Sequence, residues 1–558
     1  MAKDDSELVF LPLGGLGEIG MNAALYGYGP KKNREWILVD CGVAFAGPEA
    51  PGVDLYLPDL RFIETQKERL KGIIITHAHE DHIGAVMDLW PRLKAPLYAT
   101  QFAADLLEVR RFQEPGAKPI PITVVEPGKA FDCGSFNIEM VRVAHSIPES
   151  TALAIKTPAG VIVHSGDWKI DKTPVVGWTT DEERFRALGD QGVLALVCDS
   201  TNVNREGISP SEADVSKSLA EIIGQAKARV AVTTFASNVA RLKTLAEAGR
   251  AAGRTICLLG RAMKKMVLAG EESGVLQGFP RHIGPEDAQE VPRKNLMLIV
   301  TGSQGERRAA SAQLARGKYL GLELREGDTF LFSSKTIPGN EREVLKVVNA
   351  LSEKGVTIVD DSNGKYHVSG HANRPDLEHV HRLLLPDMVL PMHGEHRHLR
   401  EHVRLAKDAG IAALVATNGM MIDLTGDTPK VVDRIEAGRI YLDGSVLIGA
   451  MDGVVRDRIR MALNGHVTVT LIVDEDGEAL GEPWVDTMGL PTKGRGGRDL
   501  SEVLEADLGA FVSSAGRKLM ADDDQLEEAL KRAVRQVAME VIGKKPEVIV
   551  VISRLSAE

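Results

Sequence analysis

An α/β fold is predicted by a pattern that recurs along residues 8–199 and again near residue 390. Short runs of apolar, often β-branched residues stop directly at histidine, aspartate or small polar residues, and helical stretches separate the runs. Apolar runs bounded by turn residues are typical of strands in a buried sheet. Since a sheet holds the side chains at its strand ends rigidly, we expect functional groups there.

The length and composition indicate a globular protein of several domains. A chain of 558 residues exceeds one ordinary hydrophobic core, so we expect two or three domains. The fractions of hydrophobic (44%) and charged (26%) residues are ordinary for soluble proteins. No apolar run approaches the ~20 residues of a membrane-spanning helix, and no secretory pattern opens the chain. We therefore expect a cytoplasmic protein without membrane contact.

Neither a disulfide framework nor a thiolate metal site is predicted. The four cysteines are scattered without close spacing: Cys41, Cys133, Cys198 and Cys257. The formal net charge of −11 argues against a uniformly basic nucleic-acid surface. Residues 241–265 nevertheless form a local basic window, which is either a nucleic-acid contact or a solvated helix face.

The densest group of candidate metal ligands follows the predicted buried strand at residues 72–75. The sequence from 76 to 82 is Thr-His-Ala-His-Glu-Asp-His, which places His77, His79, Asp81 and His82 within six residues. Such a spacing after a strand is typical of a metal site, and Gly84 and Ala85 are predicted to begin the next helix.

A glycine-rich stretch near the N-terminus has two interpretations. Residues 14–20 contain a G-x-G-x-x-G pattern after a predicted strand, and Asp40 lies about twenty residues further on, as in dinucleotide-binding sites. Residues 21–29, however, alternate like a second strand and do not continue as a helix, so the helix N-terminus that would hold a pyrophosphate is missing. We favour a β-hairpin, with Asp40 at a strand end where its carboxylate orients metal ligands.

Two more strand ends carry candidate ligands. His145 follows the predicted strand 137–143, and Asp167 follows 161–163. Taken singly, each is an ordinary polar residue at a strand end, but together they complete a set. A third strand, 193–198, ends at Asp199 and again places a carboxylate at a strand end.

Residues 206–345 differ in texture from the chain around them. They contain alanine-rich helical stretches around 212–228 and 238–251 and few histidines, so an inserted domain is predicted. Within it, the strand 296–300 leads to Ser303 and Gln304 in a turn whose amides could hold phosphate.

Histidines return at residues 366–372 and 391–398. These stretches contain Ser369, Gly370 and His371, and then His393 after the predicted strand 388–390. His398 and His402 have the i,i+4 spacing of neighbours on one helix face, for which we favour a surface or packing role.

The predicted domain boundaries follow these changes in texture. They are a core at 1–205 and 350–430, an inserted domain at 206–349, a linker at 431–460, and a small α+β C-terminal domain at 461–558.

The ligand set resembles the metallo-β-lactamase fold, an αββα sandwich. With the insertion between Asp199 and His371, the chain is similar to the β-CASP subgroup of nucleic-acid nucleases, and within it to the bacterial ribonuclease J family. The resemblance spans about residues 8–450. The stretches that carry it are 14–22, 76–84, 302–306, 337–341, 368–372 and 393–395.

The resemblance implies a site with two cations, Zn²⁺ or alternatively Mn²⁺. It assigns His77, His79 and His145 to one ion, Asp81, His82 and His393 to the other, and Asp167 to both. His371 would protonate or stabilise the leaving 3′-oxygen, with Asp199 orienting its neighbours. Ser303, Gln304, Ser369 and Gly370, together with His371, would hold phosphate groups of the RNA.

The implied activity is a ribonuclease that acts 5′ to 3′ on 5′-monophosphorylated single-stranded RNA, with some endonucleolytic cleavage, in RNA maturation and decay, including rRNA processing. The resemblance also implies a homodimer or homotetramer and partners in an RNA-degradation complex.

This chain departs from the family at two places. It has Glu306-Arg307-Arg308 where Glu-Pro-Met is common, and Met488-Gly489-Leu490 where Arg-Gly-Phe is common. The first departure bears on RNA contacts, and the second on packing in the C-terminal domain.

Two other functions remain as alternatives. One is a small-molecule thioester or lactam hydrolase on the same core, against which the inserted domain argues. The other is a non-catalytic RNA-binding subunit, against which the complete ligand set argues.

Overall fold

The computed structural model describes residues 6–114, 117–337, 339–474 and 476–555. It divides into two compact units, one comprising residues up to 44 and 56–439 and the other comprising 45–55 and 440 onward. In the described residues no helix has the length and hydropathy needed to cross a lipid bilayer.

The first part of the core, up to Asp199, consists mainly of strands. Its strands are β1 Ser6–Gly14, β2 Leu16–Gly17, β3 Ala23–Pro30, β4 Glu35–Val39, β5 Ala44–Phe45, β6 Leu55–Pro58, β7 Leu70–Ile74, β8 Leu97–Ala99, β9 Ile122–Val124, β10 Ala130–Cys133, β11 Phe136–Arg142, β12 Thr151–Thr157, β13 Gly160–His164 and β14 Ala195–Asp199. Its helices are α1 Arg61–Glu64, α2 Glu80–Ile83, α3 Val86–Leu93, α4 Gln101–Gln113 and α5 Glu182–Gln191.

The inserted domain alternates helices and parallel strands. In chain order these are α6 Glu212–Gln225, β15 Val230–Thr233, α7 Val239–Ala251, β16 Thr255–Leu259, α8 Arg261–Glu272, β17 His282–Ile283, α9 Pro285–Ala288, β18 Leu296–Val300, α10 Ala310–Arg316, β19 Thr329–Phe332, α11 Glu341–Ser352 and β20 Thr357–Val359. The six strands form one sheet in the order β17-β16-β18-β15-β19-β20. The last strand of this sheet, β20, lies beyond residue 349, where the inserted domain was predicted to end. The other domain boundaries stay predictions.

The chain then returns to the core. The elements are α12 Arg374–Leu384, β21 Met388–Met392, β22 Gly394–Glu395, α13 His396–Asp408, β23 Ala412–Ala413, β24 Met420–Asp423 and β25 Lys430–Arg434.

The core is a sandwich of two sheets with helices outside. The strand orders are β25-β24-β1-β3-β4-β7-β8-β9 and β10-β11-β12-β13-β14-β21-β23. In β11, Ile138 and Met140 point into the apolar layer that the two sheets share, whereas Val141 points outward to a second layer formed with α5 and α12. This alternation buries both faces of the strand, as an αββα sandwich requires.

The N-terminal glycines belong to a strand pair, as predicted. β1 pairs antiparallel with β3, and the stretch between them contains the two-residue strand β2 and no helix. Without a helix there is no helix N-terminus to bind a pyrophosphate, so the dinucleotide-binding interpretation is excluded.

The second unit contains the C-terminal part of the chain. Its elements are β26 Arg439–Asp443, β27 Val446–Gly449, α14 Val454–Asn464, β28 His466–Val473, β29 Trp484–Met488, α15 Leu500–Ser514, α16 Arg517–Met520, α17 Asp523–Ile542 and β30 Glu547–Arg554. In its three-stranded sheet β28 lies between β29 and β30, and one face packs on α15 and α17. This is the α+β arrangement that the sequence predicts.

Candidate metal centre and active site

The stretch 76–82 forms a turn and one short helix after β7. His77 and His79 lie in the turn, and α2 begins at Glu80, so Asp81 and His82 belong to a helix that starts earlier than predicted. The next helix, α3, begins at Val86. The turn lies so close to residue 42 that a Cβ at Gly42 would be 1.7 Å from the carbonyl oxygen of Asp81, so only glycine fits there.

A first group of four potential ligands comprises His77, His79, His145 and Asp167. One ligand atom from each lies within 4.8 Å of all the others. Asp167 Oδ2 is 3.8 Å from both His77 Nε2 and His145 Nε2, and His79 Nδ1 is 3.1 Å from His145 Nε2. Ligands in a tetrahedron around one ion lie about 3.3–3.6 Å apart, so this group has the dimensions of a metal site.

A second group comprises Asp81, His82, Asp167 and His393, again within 4.8 Å of one another. His393 Nε2 is 3.1 Å from Asp81 Oδ2 and 3.6 Å from Asp167 Oδ2. His82 Nε2 is 3.3 Å from the same Asp167 oxygen. Asp167 Oδ2 therefore faces both groups, as a bridging carboxylate would.

The residues present fit divalent cations. His77 Nε2 and Asp167 Oδ1 are buried and have no hydrogen-bond partner in the protein. Buried polar atoms without partners are costly, and these two lie among converging ligand atoms. Imidazole nitrogens and carboxylate oxygens converging at these distances suit zinc, and also manganese.

The electrostatics of the two groups differ. Burial lowers the pKa of His79 to about 4 and holds the pKa values of His77 and His145 well below their usual range. These imidazoles are therefore neutral near pH 7, as ligands must be.

In the second group the carboxylates dominate. Burial alone would lower the pKa of His82, but Asp167 and Asp81 outweigh it and raise that pKa to about 10. The pKa of His393 is likewise raised, against burial, by Asp167 and its other carboxylate neighbours. Burial disfavours the charged form of Asp81, yet the imidazoles hold its pKa well below the usual range. A cation bound here must displace protons.

Asp40 lies directly behind the ligands. Its carboxylate accepts hydrogen bonds from His82 Nδ1 (2.7 Å) and from the backbone nitrogen and hydroxyl of Thr76 (both 2.8 Å). The residue has a φ of 62°, a left-handed conformation that aspartate tolerates better than most residues. This geometry supports the predicted orienting role.

His371 and Asp199 form a pair beside the second group, and with Asp167 and His393 they make a third group whose ligand atoms lie within 4.8 Å of one another. His371 Nδ1 donates to Asp199 Oδ2 at 2.8 Å, and its ring stacks on His393 with centroids 5.4 Å apart. Burial lowers the pKa of His371, but the Asp199 carboxylate outweighs it, so the net shift is upward.

Ser369 and Gly370 reach the site from the segment between β20 and α12. The Gly370 carbonyl accepts from His145 Nδ1 at 2.7 Å, and a Cβ at this glycine would be 2.7 Å from the His145 ring. The Ser369 hydroxyl accepts from Asn202 Nδ2 at 2.9 Å and from the His371 backbone nitrogen at 3.3 Å. Both residues thus support the histidines.

Ser303 and Gln304 are buried in the turn after β18. The Gln304 amide donates to the Lys335 carbonyl (3.0 Å), and its oxygen accepts from the Ile337 nitrogen (2.7 Å). The Gln304 side chain therefore holds Lys335 and Ile337, and its predicted contact with phosphate stays a prediction. Ser303 lies beside it, 3.4 Å from its Nε2. Pro338, in one of the resembling stretches, lies outside the described residues.

The basic window at 241–265 is in part structural, because two of its arginines are buried and neither face the solvent nor are placed to contact a nucleic acid. Arg241 is fully buried, pairs with Glu212 and donates to the Ser333 hydroxyl at 2.8 Å. Arg254 is also buried and donates to the Ala228 carbonyl at 2.7 Å. Glu212, which neutralises Arg241, lies on a different helix and outside the window 241–265, so the charge count within the window does not include it.

Four further histidines have packing roles. His402 is buried and hydrogen-bonds Ser200 and His381, and His398 bonds the Glu395 backbone nitrogen. The structure thus supports the packing role predicted for His398 and His402. His164 is buried against Tyr26, and His367 lies beside Phe235.

Three polar residues near the ligands were not predicted from the sequence. Asn22 Nδ2 lies 3.1 Å from His82 Nε2, and the hydroxyls of Thr76 and Thr201 lie 3.0 and 2.8 Å from the Nδ1 atoms of His77 and His393. The only sequence signal is that each threonine is within two residues of a carboxylate or ligand.

Four family models match the chain. The "Beta-lactamase superfamily domain" matches residues 35–234 and the "Ribonuclease J, beta-CASP domain" matches 227–351. The "Zn-dependent metallo-hydrolase RNA specificity domain" matches 363–416 and the "Ribonuclease J C-terminal domain" matches 453–555. Fold and site together define a metallo-β-lactamase-fold hydrolase with an inserted β-CASP domain.

Curated relatives narrow this class. A ribonuclease J of Sinorhizobium meliloti (strain Sm2011) is 47% identical over 557 residues. The alignment covers 100% of this chain and 98% of the length of that relative. A ribonuclease J of Corynebacterium glutamicum is 38% identical over 536 residues, covering 94% and 73%. The chain belongs to the ribonuclease J family and is a hydrolytic nuclease.

A solved structure supports the fold alone. A protein of unknown function from Enterococcus faecalis V583 has a TM-score of 0.52 at 17% identity, over 75% of this chain and 100% of its own.

Proposed function

We propose that this chain is a metal-dependent ribonuclease that degrades 5′-monophosphorylated single-stranded RNA from the 5′ end and also cleaves internally. The observation that carries the proposal is the pair of buried ligand groups that share Asp167, with the His371–Asp199 pair beside them. The RNA specificity and ribonuclease J domains that match the chain support RNA as the substrate.

The ligands would divide as the family resemblance implies. His77, His79 and His145 would hold one cation, Asp81, His82 and His393 would hold the other, and Asp167 would contact both, which agrees with the two groups of ligand atoms. Two cations there, zinc or manganese, would lower the pKa of a shared water and neutralise charge on the attacked phosphate. The low pKa values of Asp81 and Asp167 keep both carboxylates ionised for this task.

His371 is the general acid of this proposal. Its Nδ1–H donates to Asp199, which raises the pKa of the imidazole against burial and so favours the imidazolium, in which Nε2 carries a second proton. The Nε2–H can then donate to the 3′-oxygen as the P–O bond breaks. Asp199 orients the ring, and the downstream product keeps a 5′-phosphate.

Phosphate binding involves the segment that leads from the inserted domain to the core. The hydroxyl of Ser369 and the backbone at Gly370 lie next to His145 and His371, so an RNA phosphate beside the cations would meet them. In this proposal the buried Ser303 acts indirectly. It lies beside Gln304, whose side chain holds Lys335.

The cellular setting is part of the proposal. The four cysteines are free and buried, which agrees with a reducing cytoplasm. We expect a homodimer or homotetramer that works in RNA maturation and decay, with partners in an RNA-degradation complex.

The test is the product pattern from an internally labelled, 5′-monophosphorylated single-stranded RNA, with zinc, manganese or a chelator. His82→Ala removes a ligand, and His396→Ala changes an exposed histidine as the matched control. We expect mononucleotides that disappear on chelation and in His82→Ala but persist in His396→Ala. Discrete longer fragments alone would overturn the exonuclease assignment, and intact RNA under every condition would overturn the proposal.

A further inference from the structure

We propose that Thr76 and Thr201 are positioning residues, each of which fixes the ring orientation and tautomer of one metal-binding histidine, His77 and His393 respectively. The inference rests on the ligand assignment of the proposed function. It assigns one threonine hydroxyl to the surroundings of each metal site, where the hydroxyl contacts a ligand and not the metal. It predicts that each hydroxyl affects the binding affinity of one ion.

The first arrangement involves Asp40, Thr76 and His77. Thr76 Oγ1 is 2.8 Å from Asp40 Oδ2 and 3.0 Å from His77 Nδ1, while the backbone nitrogen of Thr76 donates to Asp40 Oδ1 at 2.8 Å. All three residues are buried. The carboxylate therefore holds the threonine at two points, and the threonine holds the imidazole.

The second arrangement repeats the first in a different part of the chain. Thr201 Oγ1 is 2.7 Å from Asp199 Oδ1 and 2.8 Å from His393 Nδ1, while the backbone nitrogen of Thr201 donates to Asp199 Oδ1 at 2.9 Å. His393 has a φ of 48°, a conformation that is uncommon for residues other than glycine and that needs support from its surroundings.

The hydroxyl proton determines the tautomer. A threonine hydroxyl has one proton, and an ionised carboxylate can only accept. The hydroxyl therefore donates to the aspartate and accepts from the Nδ1–H of the histidine. At Thr201 the His393 carbonyl, 3.1 Å away, is a second acceptor for the same proton, with the same consequence for Nδ1. With the ring proton on Nδ1, the Nε2 lone pair of His77 or His393 is free for a cation.

Each aspartate also binds a second histidine directly. Asp40 accepts from His82 Nδ1, and Asp199 accepts from His371 Nδ1. His393 Nδ1 is also 3.7 Å from Asp199 Oδ1, which is beyond hydrogen-bond distance, so its hydrogen-bond partner is Thr201 Oγ1 at 2.8 Å. Removing a threonine hydroxyl therefore affects one histidine and leaves the direct aspartate–histidine bond in place. Thr76 acts on the first ligand group through His77, and Thr201 acts on the second through His393.

The experiment measures metal binding rather than turnover. Wild type, Thr76→Val, Thr201→Val and the two Thr→Ser variants are titrated with Zn²⁺ in competition with a chromophoric chelator, and bound zinc is counted per chain. Thr233→Val is the matched control, because its buried hydroxyl donates to the Val300 carbonyl in the inserted domain, away from the ligands. Circular dichroism and thermal unfolding check that each variant is folded.

We expect each valine variant to bind one of its two ions about 10–100-fold more weakly. The serine variants should restore wild-type affinity, and Thr233→Val should match wild type. If a valine variant does not fold, the zinc affinities of Thr201→Ala and Thr201→Ser are compared instead. The inference requires that the serine variant binds zinc more tightly than the alanine variant.

Two results would count against it in distinguishable ways. Two ions bound with unchanged affinity in both valine variants would overturn this inference alone. Wild-type protein that binds no zinc or manganese would overturn the proposed ligand set, and the inference with it.

Discussion

The metal-binding core and the inserted domain both consist of strands that end in polar turns, but they use their buried polar groups differently. In the core, His77 Nε2 and Asp167 Oδ1 are buried without a partner, and the imidazoles around them converge on common points. In the inserted domain, Arg241 is satisfied by Glu212 and Ser333, and Gln304 by the loop at 335–340. Unpartnered buried atoms occur in the inserted domain too, for example Thr244 Oγ1 and Arg254 Nε. What distinguishes the core is that its histidines and carboxylates converge on common points, which no group of described residues in the inserted domain does.

The largest expected effect comes from the core. His371→Gln removes the group that donates a proton to the leaving oxygen, so kcat should fall about 10²–10⁴-fold, while the number of bound metal ions stays that of wild type. Single-turnover cleavage and metal content, measured on the same sample, check this. His379→Gln, on the partly exposed side of α12, is the control and should be fully active. Loss of metal together with activity would mean that His371 is a ligand instead.

The corresponding change in the inserted domain should affect folding. Arg241→Met leaves Glu212 buried without its partner, and breaking such a pair costs about 3–5 kcal/mol. Denaturant unfolding measures the loss, and Arg250→Met, exposed on the same helix, should unfold like wild type. A fully stable Arg241→Met that binds RNA poorly would show that the arginine contacts RNA after all.

A pH effect on stability is expected behind the active site. His381 lies 3.2 Å from His402, Nε2 to Nε2, and burial followed by the nearby Arg382 lowers the pKa of His381 to about 4. In the unfolded chain His381 becomes protonated below pH ~6.5. In the folded chain it stays neutral until the pH approaches about 4. The stability that this residue contributes is therefore complete above pH 6.5 and is lost as the pH falls toward 4.

The variant His381→Gln isolates that contribution. Between pH 6.5 and pH 5 the free energy of unfolding of metal-free wild type should fall by about 1.5 kcal/mol more than that of the variant. Urea unfolding at the two pH values measures the difference. Equal changes in both proteins would show that His381 is not held neutral by burial.

The smallest effect is expected on the surface of the inserted domain. Arg308 is exposed just after the turn at 302–305, at a place where this chain departs from its family. Arg308→Glu should weaken binding of single-stranded RNA roughly 2–10-fold and reduce the slope of log affinity against log salt by about 1. Arg186→Glu makes the same charge change on α5 of the core. An equal loss in both variants would indicate general repulsion instead of a local contact.

The grouping of the candidate ligands could be predicted from the sequence because a metal site needs several histidines and carboxylates at fixed places. A single histidine or aspartate after a strand is ordinary, but the recurrence of both after several strands is not. The structure brings together His77, His79, Asp81, His82, His145, Asp167 and His393, and their role as ligands stays a prediction. The fold class followed from the same strands. The antiparallel pairing of β1 with β3 was also predictable, since residues 21–29 alternate with period two.

Other features depend on contacts between distant parts of the chain and could not be predicted. Arginine and glutamine serve many structural purposes, so Arg241 and Gln304 could be assigned only when Glu212 and the 335–340 loop were located. Thr201 and His393 are 192 residues apart, and their hydrogen bond has no local signal. The beginning of α2 at Glu80 was also missed, because the turn is shaped by the close approach of Gly42.

The central claim is that one carboxylate, Asp167, joins two metal sites, and the most direct test is the number of ions bound per chain. Wild type and Asp167→Asn are loaded with Zn²⁺ or Mn²⁺, freed of excess metal by gel filtration, and analysed by mass spectrometry of the metal. The account predicts two ions per chain in wild type and weakened binding of both in Asp167→Asn, with the fold retained. A single ion in wild type, or two ions bound equally well by Asp167→Asn, would contradict it.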